Sequence, residues 1–521
     1  MDQFLEIYRF LLFRETRIYG ASFCILVFIV FLVSPKFIKD QFLFINRLRC
    51  DLVAKVLFFG FFGIALIYLA YPNFLDHIES TVANTGIVLR SGADLYPYPD
   101  LYPYHGILYG PALAVVQSVF QGVGLNILLA SKLPGVLAFL VSFLLLFRIA
   151  NNRNALGYLL YLLPFGMFLF WNRADSFLLF LVTVALFWGD GRAGRWSVPI
   201  VLGVLAGIAS ALKIHGGAYV FAAYLAVSYA AGISLLAVLA FVVCAASTFL
   251  LFFALPHVSL GAFFAYLQSA SVHGISLKLI FYDLLYLLFM SIPLLILLRR
   301  VEFKPRVKAM LLSVFSVQLF VALMAAKPGS GVYHLMPFLA LNSYLLARFS
   351  RESDSSGKMF LQVLYLALVI PSMVAAHVLV YAMTKSWPEF SASRQELTYF
   401  DDKYQNVVMG LSDHAGYPYV YPRIELRTPQ IDYPAFMDLQ FSGKSDAELV
   451  ARIDACEIEH ILVPNKGIWF PGDGQPFSMI NYYTSRPLFS NELKESFAKH
   501  YQVLEVGTRY ILYVCKNPAD S

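Results

Sequence analysis

The chain has 521 residues, of which 59% are hydrophobic and only 14% are charged, and its mean hydropathy is +0.66. Because soluble proteins carry about 25% charged residues, this composition excludes a soluble globular protein and predicts a polytopic membrane protein. The net charge of +6 does not indicate nucleic acid as a partner. In a membrane protein the informative quantity is the placement of Lys and Arg between the spans.

Apolar runs of about 17 to 25 residues are long enough to cross the hydrocarbon core of a bilayer as helices. The sequence contains about twelve runs near this length, so the predicted fold class is an α-helical polytopic membrane protein. The runs lie near residues 18–34, 52–71, 126–147, 155–170, 175–188, 198–212, 215–231, 233–254, 279–298, 308–326, 332–348 and 359–384.

Basic residues between the spans predict the orientation, because loops rich in Lys and Arg stay in the cytoplasm. If the spans alternate, the basic loops share one side: Lys36–Lys55, Arg148–Arg153, Arg192–Arg195, Arg299–Lys308 and Arg348–Lys358. The opposite, external side then receives the long loop 73–125. The basic N-terminal segment 1–16 is expected to form an interfacial amphipathic helix, and it lacks the pattern of a cleavable signal peptide.

Near residue 385 the composition changes to that of a soluble domain. The segments QNVVMGLSDH, EIEHILVPN and YQVLEVGTRYILYVCK have the pattern of strands, and DAELVARIDAC and NELKESFAKH have that of helices. We therefore predict a transmembrane domain over residues 1–384 and a small external α/β domain over residues 385–521.

The five cysteines show no CxxC or zinc-finger spacing. Two of them, Cys456 and Cys515, lie in the polar C-terminal region and can pair if that region is exported. The sequence does not give their separation in space, so pairing stays open beside two free thiols.

Ionisable side chains in or near the hydrocarbon are costly, and each is therefore a functional hypothesis. In this chain they gather at the predicted external ends of the spans. They are Asp76, Lys132, Arg173 with Asp175, Lys213 with His215, and Lys327 with His334. One carboxylate-bearing loop thus faces several cations across one membrane surface.

This arrangement suits the transfer of a sugar from a lipid phosphate. A Lys or Arg neutralises the phosphate as it leaves, and a carboxylate accepts the proton of the attacking hydroxyl and stabilises an oxocarbenium-like transition state. We predict Asp76 as the base with Glu79 as its alternative, and Lys132, Lys213, Lys327 and Arg173 as lipid-phosphate ligands. The plainer interpretations are a solvated helix-end carboxylate for Asp76, a snorkelling side chain for Lys132 and a structural turn at Lys213.

Seven further residues are candidates for substrate binding, because they lie in the tyrosine- and proline-rich loop or beside the external cations. They are His77, Tyr104, His105, Tyr109, Asp175, His215 and His334. None of the histidines has metal-ligand spacing. We therefore predict no metal site and no cofactor, although a divalent metal stays possible.

Several short segments resemble the GT-C superfamily of integral-membrane glycosyltransferases, which includes the protein O-mannosyltransferases and the aminoarabinose transferase of lipid A. Segment ILYGPAL is similar to the family's Y-x-P-P-L segment, and SKLPG is similar to R-L-P-S with Lys132 in place of Arg. SALKIHGG matches the family's Lys segment at Lys213, and VYHLMPFLAL resembles a late span. The resemblance covers the topology of most of the chain through short motifs.

The resemblance implies a polyprenyl-phosphate-sugar donor, inversion at the sugar, a base at Asp76, a lipid-phosphate site at Lys132 with Lys213 or Lys327, and an external tail domain. The family often has paired acidic residues in this loop, whereas here Asp76 is followed by His77 and then Glu79. This departure leaves the identity of the base open and favours a metal-free mechanism. The acceptor is a lipid, a glycan or a protein.

Three other functions compete with this interpretation. An oligosaccharyltransferase or ligase would move a preassembled glycan by the same chemistry. A secondary transporter typically has two homologous halves and a midplane site, whereas this sequence shows no repeat and places its polar residues at one surface. A scaffold would not need cations opposite the basic loops.

The short loops favour a bacterial inner membrane, with the active site and the C-terminal domain in the periplasm.

Overall fold

A computed structural model describes residues 50–96, 108–149, 169–271, 274–300, 304–349, 355–410, 445–464, 476–481 and 486–516, together with residues 22, 25, 26, 436, 437 and 440. Within these residues the protein is mostly helical, with fifteen α-helices and one small sheet near the C-terminus. Most of the predicted spans at 18–34 and 155–170 lies outside the described residues.

The helices are numbered in chain order. They are α1 (Cys50–Ala70), α2 (His77–Arg90), α3 (Pro111–Gln121), α4 (Ile127–Ile149), α5 (Ala174–Gly189), α6 (Ser197–Leu212), α7 (Gly216–Ser228), α8 (Leu235–Leu251), α9 (Leu260–Ser271), α10 (Leu277–Arg300), α11 (Pro305–Met324), α12 (Phe338–Phe349), α13 (Ser355–Lys403), α14 (Ala447–Asp454) and α15 (Asn491–His500). Short 3₁₀ turns follow α8 at Phe252–Ala254 and precede α12 at Val332–Leu335.

In the part of the chain that the structure describes, three helices are long and apolar enough to cross a membrane: α4, α8 with its 3₁₀ turn, and α11. Five further apolar helices are shorter: the part of α1 from Phe58 to Ala70, α3, α5, α6 and α7. Apart from α3, which lies in the loop predicted at 73–125, these helices coincide with predicted apolar runs to within a few residues. The predicted total of about twelve spans stays a prediction.

The described part of the long loop predicted at 73–125 contains two helices, α2 and α3. The apolar helix α3 agrees with the sequence pattern, but α2 has the polar sequence HIESTVANTGIVLR and no span-like hydropathy. It forms because its N-terminus is closed by a capping box, in which a side chain and a backbone group satisfy each other's free donors. A helix, α9, also lies between the predicted apolar runs at 233–254 and 279–298.

The described chain divides into two compact units. The first unit comprises Met1–Leu69, Gly135–Leu251 and Ile275–Ala382, and the second comprises Ala70–Pro134, Phe252–Gly274 and Met383–Ser521. These units do not test the predicted boundary at residue 385 between a membrane domain and an external domain, which stays a prediction.

Within the first unit, α6 packs closely on α8 through two glycines. A Cβ atom at Gly203 would lie 2.5 Å from the carbonyl oxygen of Phe241, and one at Gly207 would lie 2.5 Å from that of Ala245. Small residues of this kind let two helix backbones approach in a membrane. A Cβ at Gly216 would likewise collide with the Ala209 carbonyl, so the turn from α6 to α7 is also tightly packed.

Within the second unit, α2, α3 and the start of α4 are held together by buried amides. Gln121 donates through Nε2 to the Ala83 carbonyl at 2.8 Å and to Ser131 Oγ at 3.0 Å. A Cβ at Gly86 would lie 2.5 Å from Gln117 Cβ, so α2 lies directly against α3. This packing fixes the start of α4, where Lys132 lies.

The C-terminal sheet has four strands: β1 (Val407–Met409), β2 (His460–Pro464), β3 (Tyr501–Val506) and β4 (Tyr510–Cys515). Their order is β1-β2-β4-β3, with β1 parallel to β2 and the other pairs antiparallel. The segment YQVLEVGTRYILYVCK, predicted as strand, forms the hairpin of β3 and β4. The predicted helices DAELVARIDAC and NELKESFAKH are α14 and α15.

Two links tie the sheet to its surroundings in the second unit. A disulfide joins Cys456 to Cys515, with 5.8 Å between their Cα atoms. Arg509, in the β3–β4 turn, contacts Glu389 of α13 through Nε at 2.9 Å and Nη2 at 3.1 Å. Glu396 of the same helix accepts from the backbone N–H of Arg509 at 3.0 Å. α13 runs without a break through residue 385, beyond the predicted span at 359–384.

Candidate active site

Asp76 caps α2. Its Oδ1 accepts a hydrogen bond from the backbone N–H of Ile78 at 2.8 Å, and Glu79 completes the capping box. A cap of this type contributes about 1 kcal/mol to stability. The side chain is partly exposed, so the predicted base combines a structural role with access to solvent.

Glu79 is wholly buried one turn further along α2. Its Oε2 accepts from the backbone N–H groups of Leu75 at 2.7 Å and Asp76 at 3.0 Å. The residue therefore holds the turn that carries Asp76.

Lys132 is wholly buried near the start of α4, so the snorkelling interpretation is wrong for this side chain. Its Nζ donates to the Tyr71 carbonyl at 2.5 Å and lies 5.5 Å and 5.8 Å from the ring centroids of Tyr71 and Phe74. The charges of Glu79 and Arg394 both act on this ammonium group. The structure thus brings Lys132 together with the predicted acidic turn.

A second cluster lies in the first unit around Lys213, the residue that ends α6 in an extended conformation. Its Nζ lies 3.0 Å from Oδ1 of Asp175, in the first turn of α5, and 3.1 Å from Nε2 of His334. Lys213 is 6% exposed and Asp175 is wholly buried. The structure therefore brings these three residues into direct contact.

Polar atoms in this Lys213 cluster still have hydrogen-bonding capacity. An ammonium group has only donors, so Nε2 of His334 accepts from Lys213 and its Nδ1 carries the proton. Within the described chain, His334 Nδ1, His215 Nε2 and Asp175 Oδ2 are buried and have no hydrogen-bond partner. Buried polar atoms normally have partners, so these three atoms have unused capacity to form hydrogen bonds.

Aromatic rings and two more cations surround the Lys213 cluster. The Arg173 guanidinium lies 4.1 Å from the Trp171 ring centroid and 4.9 Å from that of Tyr333, and its Nη2 donates to the Tyr333 hydroxyl at 3.1 Å. The charge of Lys327 also acts on Lys213. His215 stacks on His334 with 5.4 Å between ring centroids.

Three cations, Arg173, Lys213 and Lys327, share this cluster with one carboxylate, Asp175. Burial lowers the pKa of Lys213 from 10.5 to about 8, with Asp175 raising the pKa and the two other cations lowering it. Lys213 therefore remains a cation at neutral pH, and the cluster has a surplus of positive charge that suits a phosphate.

The remaining predicted residues contribute less to either cluster. Tyr109 is buried and its carbonyl accepts from the Tyr96 hydroxyl at 2.8 Å, which closes the loop before α3. His77 is the first residue of α2. Tyr104 and His105 lie outside the described residues. Among the described residues no group of three or more His, Cys, Asp or Glu could hold a metal ion.

The sequence did not predict the aromatic rings that lie beside Lys132 and Arg173. Tyr71 and Phe74 enclose Lys132, and Trp171 and Tyr333 enclose Arg173. Trp171 and Tyr333 lie next to predicted residues in WNRAD and VYHL, and this adjacency was the available signal. Arg394, which lies more than two hundred residues from Lys132 in sequence, had none.

No family model and no curated protein matches the sequence. Two solved structures do match: ArnT from Cupriavidus metallidurans bound to undecaprenyl phosphate, and the same protein in the apo state. The first has a TM-score of 0.51 at 11% identity and covers 90% of this chain and 98% of its own. The second has a TM-score of 0.50 at 12% identity and covers 89% and 97%. The chain therefore shares the ArnT fold over most of its length.

Proposed function

We propose that this chain, which has the fold of ArnT, is a GT-C glycosyltransferase that moves a sugar from a polyprenyl-phosphate donor to an acceptor hydroxyl. The ArnT structure matched over most of the chain contains undecaprenyl phosphate. The motifs at Lys132 and Lys213 resemble those of the same superfamily. The fold and the motifs thus support one function independently.

The observation that carries the proposal is the Lys213 cluster. Its surplus of positive charge is buried beside aromatic rings, where an electrostatic interaction is stronger than in water. A lipid phosphate gains negative charge as the sugar leaves, so buried, preorganised cations stabilise the transition state. Arg173, Lys213 and Lys327 are the proposed phosphate ligands here, and Lys132 is the ligand in the second unit.

Asp76 is the proposed base, with Glu79 as the alternative. The base accepts the proton of the acceptor hydroxyl while that oxygen attacks the anomeric carbon, and the sugar–phosphate bond breaks with inversion. The partly exposed side chain of Asp76 suits this task better than the buried Glu79. His77, Tyr104, His105, Tyr109, Asp175, His215 and His334 are proposed to contact the substrates. The proposal needs no cofactor.

The proposed location is a bacterial inner membrane with the site and the C-terminal region in the periplasm. The basic loops support this orientation. The disulfide between Cys456 and Cys515 also supports it, because disulfides persist in oxidising compartments such as the periplasm.

The test is sugar transfer in membranes that lack the native enzyme, with labelled polyprenyl-phosphate sugars. Asn caps a helix as well as Asp does, so Asp76→Asn removes the base and keeps α2. We expect transfer to fall roughly 10²–10⁴-fold at unchanged expression and melting temperature. Asp94→Asn is the matched control and should retain activity, because that exposed carboxylate pairs with His257 at 3.3 Å and is not one of the proposed site residues.

Glu79→Gln and Lys132→Ala complete the series. Loss in Asp76→Asn with activity retained in Glu79→Gln would identify Asp76 as the base, and the reverse would identify Glu79. If the wild-type protein transfers sugar from none of the polyprenyl-phosphate donors, the proposed function is wrong.

A further inference from the structure

Helices α5, α6, α7 and α12 of the first unit each have one end at the Lys213 cluster. Helix α5 begins beside Asp175, α6 ends at Lys213, α7 follows His215, and α12 follows the turn that carries His334. Helices α5 and α6 have 16 residues each, so their far ends lie about 24 Å away at 1.5 Å per residue. The hydrocarbon core of a bilayer is about 30 Å thick, so these far ends reach the level of lipid head groups.

Side-chain contacts hold the far ends of these helices together. The Tyr344 hydroxyl of α12 donates to Oδ1 of Asp190, the residue after α5, at 2.9 Å. Arg348 of α12 lies 3.6 Å from the same carboxylate and 5.2 Å from the ring centroid of Tyr229, the residue after α7. Arg348 thus compensates the charge of Asp190. Two of the basic loops predicted to share the cytoplasmic side begin here, at Arg192 and at Arg348.

The turn from α5 to α6, residues 190–195, carries two further cations, and we call it the Arg192 turn. Arg192 donates through Nη1 to the Trp188 carbonyl at 2.6 Å, and its guanidinium lies 4.7 Å from the Trp188 ring centroid. Within the described chain no salt bridge involves Arg192 or Arg195, and the carboxylate of Asp190 is paired with Arg348. The Arg192 turn therefore has a surplus of two positive charges.

Large apolar side chains before and after the Arg192 turn are exposed. Phe187 and Trp188 at the end of α5 are 41% and 38% exposed, and Trp196 and Ile200 at the start of α6 are 54% and 45% exposed. Tryptophan is typical of the level at which hydrocarbon meets lipid head groups. A soluble anion would contact only the cations and leave these side chains in water, whereas a lipid would contact both.

The chemistry of the two arginines specifies the head group. A guanidinium is a planar, permanently charged donor that matches the oxygens of a phosphate. The contacts with Trp188 hold Arg192 in place, so less side-chain freedom is lost when a phosphate binds. A zwitterionic phospholipid has no net charge, whereas an anionic phospholipid compensates the surplus charge of the turn.

We propose that the Arg192 turn is a binding site for the head group of an anionic phospholipid from the surrounding bilayer. Arg192 and Arg195 bind the phosphate, Trp188 positions Arg192, and Trp196 and Ile200 contact the glycerol backbone and the first methylenes of the acyl chains. This site lies at the opposite end of the helices from the Lys213 cluster. It is therefore distinct from the proposed donor site and does not depend on the proposed function.

Native mass spectrometry of the full-length protein in detergent tests this inference by counting bound lipid molecules. The probes are dioleoyl phosphatidylglycerol and dioleoyl phosphatidylcholine, which have the same acyl chains and differ in net charge. The wild type should bind at least one phosphatidylglycerol molecule at least tenfold more tightly than phosphatidylcholine. One arginine at an anionic membrane surface contributes a factor of about five. Arg192→Gln and Arg195→Gln should each weaken this binding about fivefold, and the double variant should lose the tightly bound molecule.

Arg306→Gln is the matched control. Arg306, near the start of α11, is exposed, and in the described chain it contacts no aromatic ring. The substitution removes the same charge from the same unit and should leave phosphatidylglycerol binding unchanged. A loss as large as that of Arg192→Gln would show that any surface cation suffices, and the proposed site would be wrong.

Two further outcomes would overturn the proposal. One is equal affinity of the wild type for the two lipids. The other is tight phosphatidylglycerol binding by a double variant that melts at the wild-type temperature. If the double variant does not fold, unchanged binding by both single variants has the same meaning.

Glycerol 1-phosphate separates a lipid site from a site for a soluble phosphate, because it has the phosphate and lacks the acyl chains. If it leaves the bound phosphatidylglycerol in place at equal concentration, the apolar side chains contribute and the lipid assignment is supported. If it displaces the lipid, the turn binds a soluble phosphate and the lipid assignment is wrong.

Discussion

At the scale of single residues, Lys213 links charge, burial and pH. Its folded-state pKa of about 8 lies below the ordinary value of 10.5 because burial disfavours the ammonium form. Between these two pH values the unfolded chain binds a proton that the folded protein has released. The free energy of unfolding therefore gains a contribution from this residue as pH rises from 8 to 10.5, while the cluster loses one of its three positive charges.

Activity should show the opposite trend to this contribution to stability. If the Lys213 ammonium stabilises the leaving phosphate, transfer falls as pH rises through about 8. Lys213→Arg keeps a cation at all these pH values and should shift the alkaline limit upwards. The measurement is a rate profile from pH 6 to 10 in both proteins. An identical alkaline limit in the two proteins would contradict the assignment.

The carboxylate of Asp175 is the other member of the buried ion pair with Lys213. Asp175→Asn removes the carboxylate 3.0 Å from Lys213 Nζ and leaves a buried ammonium beside two other cations. Breaking a buried pair from one side costs about 3–5 kcal/mol, so the melting temperature of the purified protein should fall. The double variant Asp175→Asn/Lys213→Met should recover much of that loss. A single variant as stable as the wild type would show that the pair is not closely coupled.

At the scale of secondary-structure elements, the sequence predicted the helices that have an apolar sequence and missed a helix that is polar. Hydropathy located α4, α5, α6 and α11 to within a few residues, because burial in lipid or protein demands continuous apolar sequence. It missed α2, whose stability comes from its cap and from packing on α3. The D-x-x-E spacing of Asp76 and Glu79 was an available signal for that helix start.

The packing of α6 on α8 gives a prediction at this scale. Gly203→Val places side-chain atoms against the Phe241 carbonyl and must push α8 away. Overpacking costs about 1–3 kcal/mol or more, so the melting temperature should fall. Sugar transfer should also fall, because a displaced α6 moves Lys213 at its end. Gly60→Val in α1 is the matched control, since a Cβ there meets no atom within 4 Å. Equal effects of the two substitutions would show that the close approach is unimportant.

At the scale of the whole molecule, the sequence predicted helical membrane segments, the C-terminal sheet and most members of both clusters. It could not predict which cations share a cluster, because Lys213 meets Asp175 and His334 across 38 and 121 residues of sequence. Periodicity reports only neighbours along one element. The aromatic rings beside the cations and the position of Arg394 near Lys132 were missed for the same reason.

The disulfide gives a prediction about the location of the C-terminal region. If this region is exported, Cys456 and Cys515 are oxidised in intact cells and react with a thiol reagent only after reduction. Cys456→Ser should then lower stability by about 2–4 kcal/mol, measured with and without reductant. Cys244→Ser is the control, because that cysteine is free. Labelling of both thiols without reduction would place the region in a reducing compartment.

The length, hydropathy and exposure of α8 suit direct contact with lipid. With its 3₁₀ turn it spans 20 residues, and only 6% of an apolar 18-residue stretch within it is buried in the protein. Its length is therefore about 30 Å, close to the hydrocarbon thickness of a bilayer. Acyl chains of another length would tilt such a helix. Because α8 packs closely on Gly203 and Gly207 of α6, that tilt would move α6, which ends at Lys213. We therefore expect bilayer thickness to affect the geometry of the Lys213 cluster.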